Sequence, residues 1–186
     1  MIHRTRRRLG SRGGRALLAT LLPLTALLVG LTTAAPASAG TSIYGFAAIY
    51  GLNSMCMDDR ADGVTGANPV QVYGCHNGTN QAWMYFQNNG NDIESALYGH
   101  EGQDMCLDIN GGGTANGTPV DLWPCNGQPN QEWVWMQGNS LYNPASAKCL
   151  DDPNDGGPGT QLDIWTCNGY ANQIWNITGF APGGSP

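Results

Sequence analysis

CNGQPNQEW, residues 125–133, is one of three versions of the same phrase. The others are CHNGTNQAW (75–83) and CNGYANQIW (167–175). In each, Cys and Trp stand eight residues apart and Asn-Gln-x-Trp closes the run. Upstream of each lies a Cys-apolar-Asp triplet: CMD (56–58), CLD (106–108) and CLD (149–151). Repetition of this kind marks one supersecondary unit used three times, as in folds that bury a common core between repeats. Opening and closing cysteines are 19, 19 and 18 residues apart, whereas the repeat period varies from 50 to 43. Constant spacing within a copy and variable spacing between copies predict pairing within each copy: Cys56–Cys75, Cys106–Cys125 and Cys149–Cys167. Closing loops of this length stabilises by about 3 kcal/mol each in the chain-entropy model. No Cys-x-x-Cys and no paired His spacing supports a zinc site, and no other metal or cofactor is expected.

The segments between the cysteines read as strands. The chain has 27 Gly and 11 Pro, which interrupt every helical window. Apolar residues alternate instead in PVQVY (69–73), PVDLW (119–123) and QLDIW (161–165), separated by Gly/Asn/Asp tracts. Three equal units of short strands predict a closed all-β architecture. The extra residues between the first and second copies, somewhere within 88–103, read as a longer surface loop. DDPNDGG (151–157) reads as a turn and not as a calcium loop, because Pro153 and Leu162 would fall on ligand positions.

Residues 1–39 stand apart. Six arginines precede an apolar run of about 18 residues, and Ala37-Ser38-Ala39 fits a small-x-small cleavage site. The pattern reads as a secretory signal peptide removed after Ala39, with a membrane anchor as the competing reading. Residues 40–181 then form the domain, with repeats at about 42–88, 89–138 and 139–181 and a loose tail at 182–186. Beyond the signal only Arg60 and Lys148 remain against fourteen acids, a net formal charge of −12. So acidic a surface disfavours nucleic acid and anionic membranes as partners. Six cysteines in a secreted chain accord with three disulfides and an extracellular location.

Strand alternation places Tyr73, Trp123 and Trp165 on the polar face, beside Gln71, Asp121 and Asp163, and opposite Val72, Leu122 and Ile164. One exposed aromatic needs no explanation, but the same one in three repeats does. Two readings follow: a platform for a flat ligand with hydroxyls round its rim, such as a sugar, or a ring tucked under a bent strand. Asp58, Asp108 and Asp151 would accept hydroxyl hydrogen bonds, or else cap a turn. Asn80, Asn130 and Asn172 offer donor and acceptor together. Trp83, Trp133 and Trp175 share a face with the Gln two before them, and their expected place is the core.

The ensemble of CLD, an aromatic two before the second Cys, and NQxW, three times over, resembles the ricin-type lectins, also classed as family 13 carbohydrate-binding modules. The resemblance spans about residues 42–180. It implies a β-trefoil of twelve strands in three pseudo-symmetric lobes, each with one potential sugar pocket. Carried over, lobe 1 would use Asp58, Tyr73, His76, Asn80 and Gln81. Lobe 2 would use Asp108, Trp123, Asn126, Asn130 and Gln131. Lobe 3 would use Asp151, Trp165, Asn168, Asn172 and Gln173. Asp59 and Asp152 add second carboxylates of unassigned use. The expected protein is a non-enzymatic, monomeric lectin whose partner is carbohydrate. An accessory module beside a separate glycoside hydrolase, or a trefoil that binds or inhibits a protein, are the alternatives.

Overall fold

The computed structural model describes residues 46–87, 90–99 and 102–177. The expected signal peptide and tail lie outside them. The structure is all-β, with short 3-10 turns between strands. Each lobe contributes four strands. Lobe 1 has β1 (Ile49–Tyr50), β2 (Cys56–Asp59), β3 (Asn68–Tyr73) and β4 (Trp83–Phe86). Lobe 2 has β5 (Asp92–Tyr98), β6 (Asp104–Ile109), β7 (Thr118–Pro124) and β8 (Val134–Trp135). Lobe 3 has β9 (Leu141–Asn143), β10 (Lys148–Asp151), β11 (Thr160–Gln161), β12 (Asp163–Trp165) and β13 (Asn176–Ile177). Its third strand is broken at Leu162, whose amide donates instead to Val70 O in lobe 1 (2.9 Å). The twelve expected strands are therefore present, one of them in two pieces.

Two cyclic sets of pairings close the molecule. The third strands join one another around the ring: β3 with β7, β7 with β12, and β11 with β3. The last strand of each lobe pairs with the first of the next: β4 with β5, β8 with β9, and β13 with β1. This is the β-trefoil, and every strand in it finds a partner. The alternation read from the sequence is what fills it. Val70, Val72, Val120, Leu122, Leu162 and Ile164 project inward and are fully buried.

Trp83, Trp133 and Trp175 are the largest side chains of the core, each 0% exposed. Their indole Nε1 donates to the carbonyl of the apolar residue in the opening triplet: Met57 (3.0 Å), Leu107 (2.9 Å) and Leu150 (3.1 Å). A buried indole N–H needs such an acceptor, so each Trp is fixed in orientation as well as packed. The three disulfides join Cys56–Cys75, Cys106–Cys125 and Cys149–Cys167, as the spacing predicts.

Part of 88–103, the stretch expected to hold a longer loop, is strand β5, which pairs with both β4 and β6 and carries a register shift between Glu94 and Tyr98. Ile93 and Ser95 of this strand face inward. Its strong apolar residues, Ile93 and Leu97, lie on either side of polar and small ones within the bulged stretch, so its period of two is faint in the sequence.

Candidate functional site

Each lobe builds the same constellation on one antiparallel strand pair. The opening Cys stands opposite the aromatic: Cys56 with Tyr73, Cys106 with Trp123, and Cys149 with Trp165. Two positions along, the Asp stands opposite the polar residue of the other strand: Asp58 with Gln71, Asp108 with Asp121, and Asp151 with Asp163. All four side chains of a pair lie on the outer face. The aromatics are 45%, 44% and 43% exposed, so they form platforms and are not tucked beneath a loop. The Asp residues are 2%, 3% and 4% exposed, at the floor. The closing disulfide ties the two strands beside each platform.

The floor carboxylate is held by the Asn-Gln pair, which a one-turn 3-10 helix presents (Thr79–Gln81, Pro129–Gln131, Ala171–Gln173). Gln131 Nε2 donates to Asp108 Oδ2 (2.9 Å) and to Pro124 O (3.1 Å), while its Oε1 accepts from the amide of Asn126 (2.8 Å). Gln81 and Gln173 repeat the pattern on Asp58 and Asp151, with His76 N and Asn168 N as donors to their Oε1. Asn80, Asn130 and Asn172 each donate through Nδ2 to the Asp and to the backbone carbonyl after it. The three Gln side chains are buried, with both ends of the amide engaged inside the protein. They fix the Asp and the strand after the disulfide. The residue after the closing Cys plays a further part: Asn126 and Asn168 accept a turn amide through Oδ1, and His76 does so through Nδ1.

The resulting cavities measure about 320, 170 and 260 Å³ in lobes 1, 2 and 3. Asp, aromatic, Asn and the residue after the Cys line every one, so twelve of the fifteen expected positions meet in the cavities and the three Gln stand behind them. A separate depression of about 290 Å³ between residues 90–92 and 127–132 has no aromatic platform.

The structure adds residues that the sequence reading left out. Gln71, Asp121 and Asp163 line the pockets, and so do Arg60, Asn110 and Pro153 from the turn after the opening strand. The signal for the first three was present, since each shares a face with the aromatic two residues later. In lobe 1 the wall is an amide backed by a guanidinium: Gln71 Nε2 donates to Asp58 Oδ1 (2.8 Å) and Arg60 Nε donates to Gln71 Oε1 (2.8 Å). Asp58 Oδ2 also lies 3.5 Å from His76 Nε2. In lobes 2 and 3 the corresponding wall residue is a second carboxylate. Burial foremost, then the facing Asp121, raises the Asp108 carboxyl to about 6. Burial, then Asp151 and Asp152, raises Asp163 to about 7.

Asp59 and Asp152 are elsewhere. Alternation turns them away from the pocket into the body of the lobe, at the position that Ile109 fills in lobe 2. Asn68 Nδ2 and Gly156 N donate to one oxygen of each, and the other oxygen has no partner. Burial raises Asp59 to about 7 and Asp152 to about 6.

Each pocket is lined by its own lobe, and neighbouring lobes brace it from outside. A Cβ at Gly66 of lobe 1 would lie 2.7 Å from Cζ3 of Trp123 in lobe 2, so only glycine lets the ring settle there. Gly117 of lobe 2 likewise underlies Trp165 of lobe 3. Arg60 Nη2 of lobe 1 donates to Gly159 O of lobe 3 (3.1 Å).

The model of the ricin-type beta-trefoil lectin domain matches residues 45–175. The chain belongs to this family. Among solved structures, the designed three-fold symmetric protein ThreeFoil aligns at TM-score 0.63 with 23% identity, covering 72% of this chain and 97% of that one. The agglutinin from Abrus precatorius aligns at 0.59 with 19% identity, covering 76% of this chain and half of its own. The C-half of an earthworm R-type lectin, in complex with GalNAc, aligns at 0.58 with 20% identity, covering 72% and 97%. At these identities the likeness is one of fold. No protein of curated function matches the sequence. The family is one of carbohydrate-binding domains, and among the described residues no helix is long and apolar enough to cross a membrane.

Proposed function

We propose that the chain is a secreted lectin that binds carbohydrate through three pockets and acts by binding, not catalysis. The observation that carries this reading is the threefold recurrence of an exposed aromatic beside a buried Asp whose amide partners are already in place. A pyranose offers an apolar C–H face to the ring and hydroxyl donors to the acceptor-only carboxylate. Because Asn and Gln fix the Asp before ligand arrives, little ordering is left to oppose binding. The GalNAc complex of the earthworm neighbour is consistent with this use of the fold. The candidate carboxylates are distributed one set per lobe and do not converge on a shared cleft. Three shallow sites on one rigid monomer favour polymeric or clustered glycans, where avidity exceeds single-site affinity. The leader at 1–39 and the three disulfides support export to an oxidising compartment.

Binding to a glycan array and pull-down with polysaccharides test the proposal. Retention on at least one sugar class, reduced by Trp123→Ala without loss of fold, is the expected outcome. Silence across galactosides, xylans and mannans sinks it.

A further inference from the structure

The three pockets are not chemically equal. Asp108 and Asp121 are directly opposed on neighbouring strands, as are Asp151 and Asp163. Like charges placed so are unfavourable unless something compensates them. Within the protein nothing positive does. Residues 40–186 contain two basic side chains besides histidine, Arg60 and Lys148. Arg60 is committed to Gln71 and Gly159 in lobe 1, and among the described residues the one charge pair is His76 with Asp58, also in lobe 1.

The hydrogen bonds leave the same deficit. Asp108 receives both its amide donors on Oδ2. Asp121, 2% exposed, receives Asn110 on Oδ2, and its Oδ1 is buried with no partner. Asp163 Oδ1 is likewise buried and unpartnered, and Asp151 takes both donors on Oδ1. Those two unpartnered oxygens are closed to solvent, whereas Asp108 Oδ1 and Asp151 Oδ2, on residues that line the cavities, receive no donor from the protein and are the acceptors left for a donor-rich cation. In lobe 1 the same position is Gln71, whose amide already satisfies Asp58.

We propose that the pockets of lobes 2 and 3 are built for amino sugars: the pairs Asp108–Asp121 and Asp151–Asp163 receive the ammonium of a 2-amino-2-deoxyhexose, while Trp123 and Trp165 receive its ring. This rests on the lectin reading and sharpens it. An ammonium has three donors and no acceptor, which matches two facing carboxylates with open lone pairs. The indole beside it adds attraction for the cation through its face. Acetylation of the amine removes the charge and two donors, so the N-acetyl sugar loses this interaction. Lobe 1, whose wall has Gln71 and the Arg60 guanidinium in place of a second carboxylate, is left for uncharged sugars. The polymer class selected is a deacetylated aminoglycan, read by two of three pockets on one body.

The test uses the secreted protein with glucosamine trisaccharide and its fully N-acetylated counterpart. Titration calorimetry is run at fixed ionic strength with EDTA. The expected result is at least about tenfold tighter binding of the free amine, the worth of one charge-assisted hydrogen bond. Asp121→Asn combined with Asp163→Asn abolishes the preference for the free amine, read as the ratio of the two affinities in the same variant. A control with Asp62→Asn and Asp104→Asn, which removes the same charge from exposed positions, keeps the preference. Equal affinity of the wild-type protein for both sugars overturns the inference and leaves the lectin reading standing. A preference that survives the pocket variant, or disappears equally in the control, overturns it as general attraction to an acidic surface. Binding that requires calcium and vanishes in EDTA assigns the carboxylate pairs to a divalent cation and overturns it as well. Failure of either trisaccharide and of every neutral glycan to bind removes both readings together. The wild-type comparison needs no variant, so the test survives a variant that folds poorly.

Discussion

Gln131→Glu is the sharpest probe of how the pocket floor is held. The change is nearly isosteric, but it replaces the Nε2 donor, 2.9 Å from Asp108 Oδ2, with an oxygen. If both carboxylates ionised, two charges at that separation would repel by about 6 kcal/mol at an effective dielectric of about 20. Holding a proton on a carboxyl with an unfolded pKa near 4.3 costs less, about 4 kcal/mol at pH 7.5. The pair therefore keeps the proton, which restores the bond to Asp108, while the bond to Pro124 O is lost at about 1 kcal/mol. The expected destabilisation is about 4–5 kcal/mol at pH 7.5. At pH 4.5 the proton is nearly free and the loss falls to about 1 kcal/mol. The sign follows from linkage: the new acid has its folded pKa raised, so its penalty is absent below about pH 4.3 and grows as pH rises. Urea unfolding followed by far-ultraviolet circular dichroism at the two pH values measures both numbers. A loss below 1 kcal/mol at pH 7.5, or one that does not change with pH, refutes the account of Gln131 as the buried support of Asp108.

Four further outcomes are expected. Trp133→Ala, at a fully buried site, costs about 3–5 kcal/mol, whereas Trp123→Ala, with its ring 44% exposed, costs about 1 kcal/mol; paired denaturant melts check this, and equal losses contradict the division into core and platform. The domain is more stable near pH 5 than near pH 8, because burial raises the folded pKa of Asp59 and Glu94 to about 7 and of Asp152 to about 6. Each raised acid adds stability fully present below its unfolded value near 4, and lost as pH rises through the folded one. Asp59→Asn raises the melting temperature at pH 8 and leaves it unchanged at pH 4, as differential scanning fluorimetry would record. Removing the central staple by Cys106→Ala with Cys125→Ala costs about 3 kcal/mol for a 19-residue separation, and a loss under 1 kcal/mol contradicts the constraint assigned to it.

Much of the fold was legible because the repeat presents it three times. Cysteine spacing yielded the disulfides, and alternation in PVQVY, PVDLW and QLDIW separated core valine and leucine from the exposed aromatics. What stayed hidden was hidden for physical reasons. Strand β5 has small and polar side chains and a bulge, so its periodicity is weak. Asp59 sits one residue from Asp58 in an extended strand, and a strand sends neighbours to opposite faces, yet a buried unpaired carboxylate is so uncommon that sequence alone gives no reason to expect one. Gln131 and Asn130 are adjacent and both polar, but the depth that separates a support from a wall emerges only when the 3-10 turn is in place. The difference between Gln71 and Asp121 was visible as letters. Its meaning depended on the register that sets each against an Asp on the next strand.

The rings of Trp123 and Trp165 rest on glycines belonging to the preceding lobe, and Arg60 reaches across to Gly159. Each pocket is thus lined by one lobe but braced by another. A single repeat cut from the chain would possess a floor and a platform without the surface that braces the platform, and it would lose with it the strand pairings that close the ring. Recognition and the association of the repeats therefore draw on the same contacts.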